Sequence, residues 1–370
     1  MRVSVILPCR NEEKTIGTCI EKIDKALKGK SYEIIVSDSS SDRSAEIAGK
    51  YKNVKVVKHS LDGYGNSILE GLKYAKGGYI IIGDADNTYD FLEIPEFIKQ
   101  LDEGYELVIG SRFKGKIEKG AMPFSHRYIG TPFLNFLISM FFGKKVSDIN
   151  SGFRAVRKDA LEKLNLRTAG MEFASEMLIK AVKNNLKIEE IPVDYSKRIG
   201  SSKLKSFSDG WKHLRFMLLY SPLFLFFIPG LILFLLGIET MLWFYFGAEI
   251  SGMQFYYHPM FFSSLLIIVG YQLIIFSLFA KTYAINHLGE KPVFDKLYKY
   301  VTIEKASILG IFVVLLGIIV YLVIFLKWLS GFGFTIQDTK NSIVALTLIV
   351  LGVQTIFSSF ILSILGIKEK

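Results

Sequence analysis

Three carboxylates fall within a few residues of one another behind an apolar run. Asp84, Asp86 and Asp90 stand in Gly83-Asp84-Ala85-Asp86-Asn87-Thr88-Tyr89-Asp90, after Tyr79-Ile80-Ile81-Ile82. Two Asp side chains at i and i+2 on a flexible turn can share one hard divalent cation. Mg²⁺ or Mn²⁺ is commonly held by one or two carboxylates and completed by substrate phosphates. The plain alternative is a polar turn that caps the next helix. Other acidic groups follow other apolar runs: Pro8-Cys9-Arg10-Asn11-Glu12-Glu13 comes after Val3–Leu7, and Asp38 and Asp42 come after Tyr32–Val36. At the carboxyl ends of parallel strands, such groups line the crevice where α/β proteins bind ligands. Carboxylates there can accept hydrogen bonds from a base and a ribose while a cation bridges Asp to a diphosphate. The set therefore points to a nucleotide with a bound metal.

The elements that must hold these groups read as alternating strands and helices. Short apolar runs predict strands at Val3–Leu7, Tyr32–Val36, Val54–Val57, Tyr79–Gly83 and Glu106–Ile109. Between them, Asn11 is expected to cap a helix carrying Ile16, Ile20, Ile23 and Leu27 on one face. Further helices are expected up to Lys50, over Ser67–Ala75 and near Pro95–Leu101. This alternation implies a doubly wound α/β domain with a mostly parallel sheet. A dinucleotide fold would need its glycine fingerprint after the first strand. Pro8-Cys9-Arg10-Asn11-Glu12 stands there instead, and no Walker A pattern occurs.

The second half is different in kind. Four apolar blocks, about Leu223–Phe246, Pro259–Ile285, Ile308–Leu329 and Ile343–Leu365, are each long enough to cross a bilayer. Residues 247–258 contain no Lys or Arg and 330–341 only Lys340, whereas the middle connection holds Lys281, Lys291, Lys296, Lys299 and Lys305. The positive-inside rule then puts that loop, the amino-terminal domain and the tail Lys368-Glu369-Lys370 in the cytoplasm. Met1-Arg2 runs directly into the first strand without a signal peptide, in agreement. Cys9 and Cys19 read as buried small hydrophobes rather than a disulfide. Residues 128–142, rich in Phe and flanked by Arg127 and Lys144-Lys145, suit a helix lying in the membrane interface, with a buried core helix as the alternative. The expected organisation is a catalytic domain over 1–204, an amphipathic connector over 205–220 and a four-helix transmembrane domain over 221–370. The first 220 residues carry 36 basic against 28 acidic side chains, a balance that suits anionic lipid, phosphorylated substrates or nucleic acid.

Seven motifs occur in order: VSVILPCRNEE, IIVSDSSSD, GGYIIIGDADNTYDF, LVIGSRF, VSDINSGFRAVRK, GMEFASEM and IPVDYSKRIGSSKL. Over residues 1 to about 215 the chain resembles the inverting family-two glycosyltransferases, of GT-A (Rossmann-like) fold. More narrowly, it resembles the dolichyl- and polyprenyl-phosphate glucose and mannose synthases. By that resemblance Pro8, Asn11, Glu12 and Asp38 hold the nucleoside, and Asp84 and Asp86 bind Mg²⁺ or Mn²⁺ on the diphosphate. Arg112, Arg127 with Thr131, and Arg198 hold the lipid phosphate, so that Asp86 and the three arginines carry catalysis. Ser151-Gly152-Phe153-Arg154 and Glu176 shape the sugar and acceptor pocket. Where mannose synthases typically have a metal-assisting Gln, Thr88 stands here, which leaves Thr88 or Asp90 as the third ligand.

The implied reaction moves a hexose from a nucleotide-sugar to dolichyl or polyprenyl phosphate with inversion, giving a β-linked product. The NTYDF wording favours UDP-glucose, with GDP-mannose and UDP-N-acetylhexosamine open. The implied partners are the donor, the lipid phosphate and membrane lipids; no nucleic acid is expected, and a homo-oligomer is left open. A processive polysaccharide synthase would need a QxxRW motif, which is absent. A non-catalytic nucleotide-binding membrane scaffold is the remaining alternative.

Overall fold

The computed structural model describes residues 3–200, 206–247, 249–250, 253–287, 303–331 and 333–366. The chain divides into two compact units, Met1–Tyr220 and Ser221–Lys370. Lys291, Lys296, Lys299, the 368–370 tail and the Ser201–Leu204 end of the last motif lie outside the described residues.

The first unit is built on a seven-stranded sheet of order β3-β2-β1-β4-β6-β5-β7. Its strands are β1 (Val3–Cys9), β2 (Tyr32–Asp38), β3 (Val54–Lys58), β4 (Tyr79–Ile82), β5 (Leu107–Ser111), β6 (Arg154–Arg157) and β7 (Ile188–Pro192). All pairs are parallel except those of β6, which runs antiparallel between β4 and β5. The chain leaves β1 for β2 and β3 on one side and returns to β4 on the other. The ends of β1 and β4 thus form a switch point, where such sheets open a crevice. β6 and β7 went unpredicted, because four- and five-residue strands ending in Arg, Glu or Pro carry little apolar signal.

Helices cover both faces. Helices α1 (Ile16–Ala26), α2 (Ser44–Ala48) and α4 (Ile94–Asp102) accompany one core, in which Ile16, Ile20, Ile23, Phe97 and Leu101 pack on Val5, Leu7 and Ile34. On the other face, α3 (Tyr64–Leu72), α5 (Thr131–Phe142), α6 (Lys158–Leu164), α7 (Phe173–Lys183) and α8 (Ser206–Leu219) enclose a second core around Ile6, Ile35, Ile80 and Leu178. Each fully buried Ile or Leu contributes about 1.5–3 kcal/mol. Phe216 and Met217 of α8 belong to this core, and Ser175 Oγ lies 2.6 Å from His213 Nδ1. Much of the stretch read as a connector is therefore packed into the first unit. Cys9 and Cys19 are buried and unpaired, and burial pushes both thiols up to about 12.

In the second unit, a π-helical turn at Leu223–Phe227 leads into α9 (Ile228–Tyr245). Three more helices follow: α10 (His258–His287), α11 (Ile303–Leu329) and α12 (Ile336–Leu365). By length and composition, Leu223–Tyr245, His258–Asn286, Glu304–Leu329 and Ile336–Leu365 can each cross a membrane. α9 pairs with α10, and α11 with α12, through glycines. A β-carbon at Gly230 would lie 2.8 Å from the Gly270 carbonyl oxygen, and one at Gly352 would lie 2.6 Å from that of Gly310. The two pairs join along α10 and α12 by hydrogen bonds: Ser264–Thr347 at 2.7 Å, Tyr271–Thr355 at 2.6 Å and Gln354–Gln272 at 2.9 Å. Small residues and polar pairs are the usual helix contacts in a medium without water.

Lys340, the lone basic residue of its connection, is buried and donates from Nζ to the carbonyl oxygens of Phe244 (2.8 Å) and Tyr245 (3.0 Å) at the end of α9. It completes a helix C-terminus. Lys340→Ala should lower stability in detergent by about 1–2 kcal/mol, read as a lower melting temperature, and Lys340→Arg should retain most of it. Equal melting of the wild-type and Ala forms would contradict this role.

Candidate active site

Three strand ends meet at the switch point. After β1, Asn11 takes a left-handed backbone conformation (φ 55°). Its N–H donates to Ser40 Oγ (2.8 Å) and its Oδ1 accepts from the Ser41 N–H (2.8 Å). It therefore does not cap α1, which starts at Ile16 after Thr15 with no side-chain cap bond. Asn tolerates this backbone region better than most residues, and the turn aims its amide at the β2 loop. The Glu12 N–H donates to Ser44 Oγ (2.8 Å), and the Glu13 N–H to Asp42 Oδ2 (3.2 Å). Asn11 and Asp42 thus tie the β1 and β2 ends together. Beside them, Asp38 is 2% exposed, and its Oδ1 has no hydrogen-bond partner among the described residues. A buried acceptor without a donor is costly; a nucleobase N–H would satisfy it.

At the β4 end, Asp84 is packed against Gly152, where a β-carbon would lie 2.5 Å from Asp84 Oδ2, so a larger residue there would push the Asp84 carboxylate. Burial, and after it the charge of Asp86, pushes the Asp84 carboxyl from 3.8 up to about 7, against the opposing charges of Arg198 and Arg112. Asp86 is buried, and its Oδ1 accepts from both Thr88 Oγ1 (2.6 Å) and the Thr88 N–H (3.1 Å). Thr88 therefore orients Asp86. Asp90 accepts from the Leu92 N–H (3.2 Å) and pairs with Lys22 (3.3 Å), the capping role of the plain alternative.

The donor set fits a hard divalent cation. Asp84 and Asp86 offer carboxylate oxygens side by side, with Arg198 already on one oxygen of Asp86. No cluster of three or more His, Cys, Asp or Glu side chains with metal-binding geometry occurs among the described residues, so such an ion would need substrate oxygens as well.

The arginines separate. Arg198 bridges the donor-side carboxylates, with Nη1 2.9 Å from Asp86 Oδ2 and Nη2 against Glu12 Oε1. The resemblance placed it on an acceptor phosphate; here it neutralises Asp86 and Glu12. Arg112 is 9% exposed and closes its fork on Asp148, with Nε 2.7 Å and Nη2 2.8 Å from the two carboxylate oxygens. It lies over the Tyr195 ring at 5.1 Å. Arg127 sits on a π-helical turn, His126–Gly130, over the Tyr128 ring at 5.4 Å, and has no ion pair among the described residues. Thr131 is buried and accepts from Asn150 Nδ2 (3.2 Å). Pro8 is half-buried in β1. Asp84 feels both Arg112 and Arg198, so the two cations and the acidic turn share one crevice.

A sequence model described as Glycosyl transferase family 2 matches residues 4–165, and one for the family's C-terminal transmembrane region matches 278–366. The low-salt glycan biosynthesis hexosyltransferase Agl6 of Haloferax volcanii is 36% identical over 98% of this chain and 89% of its own length. The chain belongs to glycosyltransferase family 2. The dolichyl-phosphate hexose transferase of Haloferax volcanii is 31% identical over 56% of this chain and 89% of its own. The dolichol-phosphate mannosyltransferase of Pyrococcus furiosus is 33% identical over 55% of this chain and 60% of its own. A glucosyl-3-phosphoglycerate synthase from Mycobacterium tuberculosis, solved with Mn²⁺ and UDP, matches with a TM-score of 0.50 at 21% identity, over 60% of this chain and 80% of that one. That likeness supports the GT-A fold alone.

Other side chains brace the crevice of this glycosyltransferase. Arg154 is buried and, among the described residues, donates to the carbonyls of Ser151 (2.9 Å), Ala174 (2.6 Å) and Ile149 (2.5 Å), and burial lowers its pKa. Glu176 accepts from the Arg167 and Thr168 N–H groups at 3.0 and 2.9 Å, which makes it a loop anchor. Tyr89, buried, accepts from the Gly152 N–H at 2.9 Å. Sequence reasoning assigned nothing to Tyr89, Asp148 or Tyr195, although all three lie in the quoted motifs.

The raised Asp84 carboxyl has a measurable sign. Unfolded, it ionises near 3.8; folded, it keeps its proton to about 7. Its contribution to stability is therefore complete below the lower value and is lost as pH rises through the higher one. In chelator, the melting temperature of wild type relative to Asp84→Asn should fall between about pH 4 and 7. Parallel profiles would refute it.

Proposed function

We propose that this glycosyltransferase moves a hexose from a nucleotide-sugar, with UDP-glucose as the favoured donor, to dolichyl or polyprenyl phosphate, inverting the anomeric centre. The observation that carries the reading is the convergence of Asp84, Asp86, Glu12 and the unpartnered Asp38 Oδ1 with Arg112 and Arg198 in one crevice. The names of the dolichyl-phosphate hexose transferase of Haloferax volcanii and the dolichol-phosphate mannosyltransferase of Pyrococcus furiosus support the acceptor class. Asp38 and Glu12 hold the nucleoside. Asp84 and Asp86 hold Mg²⁺ or Mn²⁺ on the diphosphate, where such an ion supplies charge neutralisation of the leaving group. The Mn²⁺ and UDP bound by the Mycobacterium tuberculosis synthase agree with that assignment.

The acceptor carries about −1.5 to −2 charge at pH 7, so its oxygen attacks without a general base. The chain's work is to bring two anions together. Arg112, Arg127 and Arg198 supply the cations, and guanidinium forks match phosphate oxygens. Arg198 reaches the acceptor once the donor has taken Glu12 and Asp86. The exposed Phe124, Tyr128, Ile129, Phe133, Phe136 and Met140 of the 124–140 stretch lie in the bilayer interface, beside the lipid phosphate. The lysines of the middle connection support a cytoplasmic catalytic unit and cytoplasmic termini by the positive-inside rule.

Purified protein in lipid should be given Mn²⁺, polyprenyl phosphate and, in turn, UDP-glucose, GDP-mannose and UDP-N-acetylglucosamine. One donor should give a lipid product, and Asp86→Asn should reduce its rate at least about a hundredfold. Absence of product with every donor refutes the reaction. An undiminished Asp86→Asn rate refutes the site.

A further inference from the structure

Helix α5 has an apolar inner face, with Leu134, Leu137 and Ile138 buried, and an outer face with Phe133 and Phe136 exposed. Between them stands a half-buried amide, Asn135. Its Nδ2 donates to the Ser147 carbonyl oxygen (2.6 Å), and its Oδ1 accepts from the Ile149 N–H (3.0 Å). One side chain thus grips the chain on both sides of Asp148. From β7, Glu190 takes the other edge of the same loop, accepting from Ser147 N–H (2.9 Å), Ser147 Oγ (2.8 Å) and Asp148 N–H (3.2 Å). Asp148 is 0% exposed and directs its whole carboxylate at Arg112: Oδ2 to Nε at 2.7 Å and to the backbone N–H at 3.1 Å, and Oδ1 to Nη2 at 2.8 Å.

A bidentate pair fixes the plane of a guanidinium, not merely its charge. With Nε and one Nη2 hydrogen committed, the remaining donors of Arg112 point wherever Asp148 aims them. Asp148 in turn is set by the backbone that Asn135 holds. We propose that Asn135 is a positioning residue for the acceptor phosphate: it fixes the 147–149 loop, through Asp148, so that Arg112 presents its free edge to the phosphate. The helix whose outer face meets lipid thereby also aims the cation that receives the lipid's headgroup. This rests on the lipid-phosphate reading above.

The test uses full-length protein in lipid with Asn135→Leu, which removes both bonds while keeping the branching at Cγ, and Asn135→Asp, which keeps the acceptor for the Ile149 N–H. The KM is measured for polyprenyl phosphate, for a water-soluble short-chain prenyl phosphate and for the nucleotide-sugar. Asn135→Leu should raise both acceptor KM values about tenfold, as expected for loss of bonds that fix a charged group, while donor KM stays within about twofold. Asn135→Asp should fall between it and wild type, and it keeps the question answerable if the Leu form does not fold. Acceptor and donor KM rising together would overturn the proposal, showing general loosening. So would a rise for the long-chain lipid alone, which would mean that α5 acts through lipid contact, or no change at all. A wild type that uses neither phosphate fails the underlying reading, and the proposal falls with it; that outcome is distinct because it appears before any substitution is made.

Discussion

Carboxylates gathered in a poorly hydrated crevice repel one another, and each stays ionised only where a cation or hydrogen-bond donor meets it. Glu12, Asp38, Asp84 and Asp86 come from the ends of three strands. Thr88 satisfies one oxygen of Asp86, and Arg198 spans its other oxygen and Glu12. For Asp84, burial and the like charge of Asp86 outweigh a Tyr64 hydrogen bond and the charges of Arg198 and Arg112, and Asp38 Oδ1 has no donor among the described residues. These unmet acceptors are what carries the proposal of a metal-bound nucleotide, which brings positive charge and N–H groups.

The opposite requirement governs the other half of the site. A phosphate acceptor needs cations that are present but not consumed by the acidic side. Arg112 achieves this by committing one edge of its fork to Asp148. Arg198 is engaged by Glu12 and Asp86, the carboxylates proposed above to serve the donor. On the proposed function, donor and Arg198 compete for the same carboxylates, and that competition links the two halves. The transmembrane unit has its own economy: glycines let helices approach in pairs, hydroxyl and amide pairs join those pairs, and Lys340 closes an open helix end.

Much of this was legible in the sequence because it is local. β1, β2 and β4 are nearly unbroken apolar runs, each ending in carboxylates, so both the strands and their chemistry could be read together. The four spans were legible from length and apolarity. β6 was not, since RAVR carries a charge at each end, and its burial depends on neighbours far along the chain. Asn11 looked like a helix cap because the same residue serves caps and left-handed turns, and only the β2 loop decides between them. Thr88 was weighed as a metal ligand in place of Gln; here its hydroxyl donates to Asp86. The Arg198–Glu12 and Arg112–Asp148 pairs join distant segments, which neither periodicity nor spacing encodes.

The account turns on the crevice exchanging Arg198 for a metal-bound nucleotide at Asp86. Crystals of the protein grown with Mn²⁺ and UDP, measured at the manganese absorption edge, test this most directly. An anomalous peak against Asp84 and Asp86, with Arg198 released from Asp86, is the predicted result. A manganese peak elsewhere, with Arg198 still joined to Glu12 and Asp86 beside bound UDP, would contradict it.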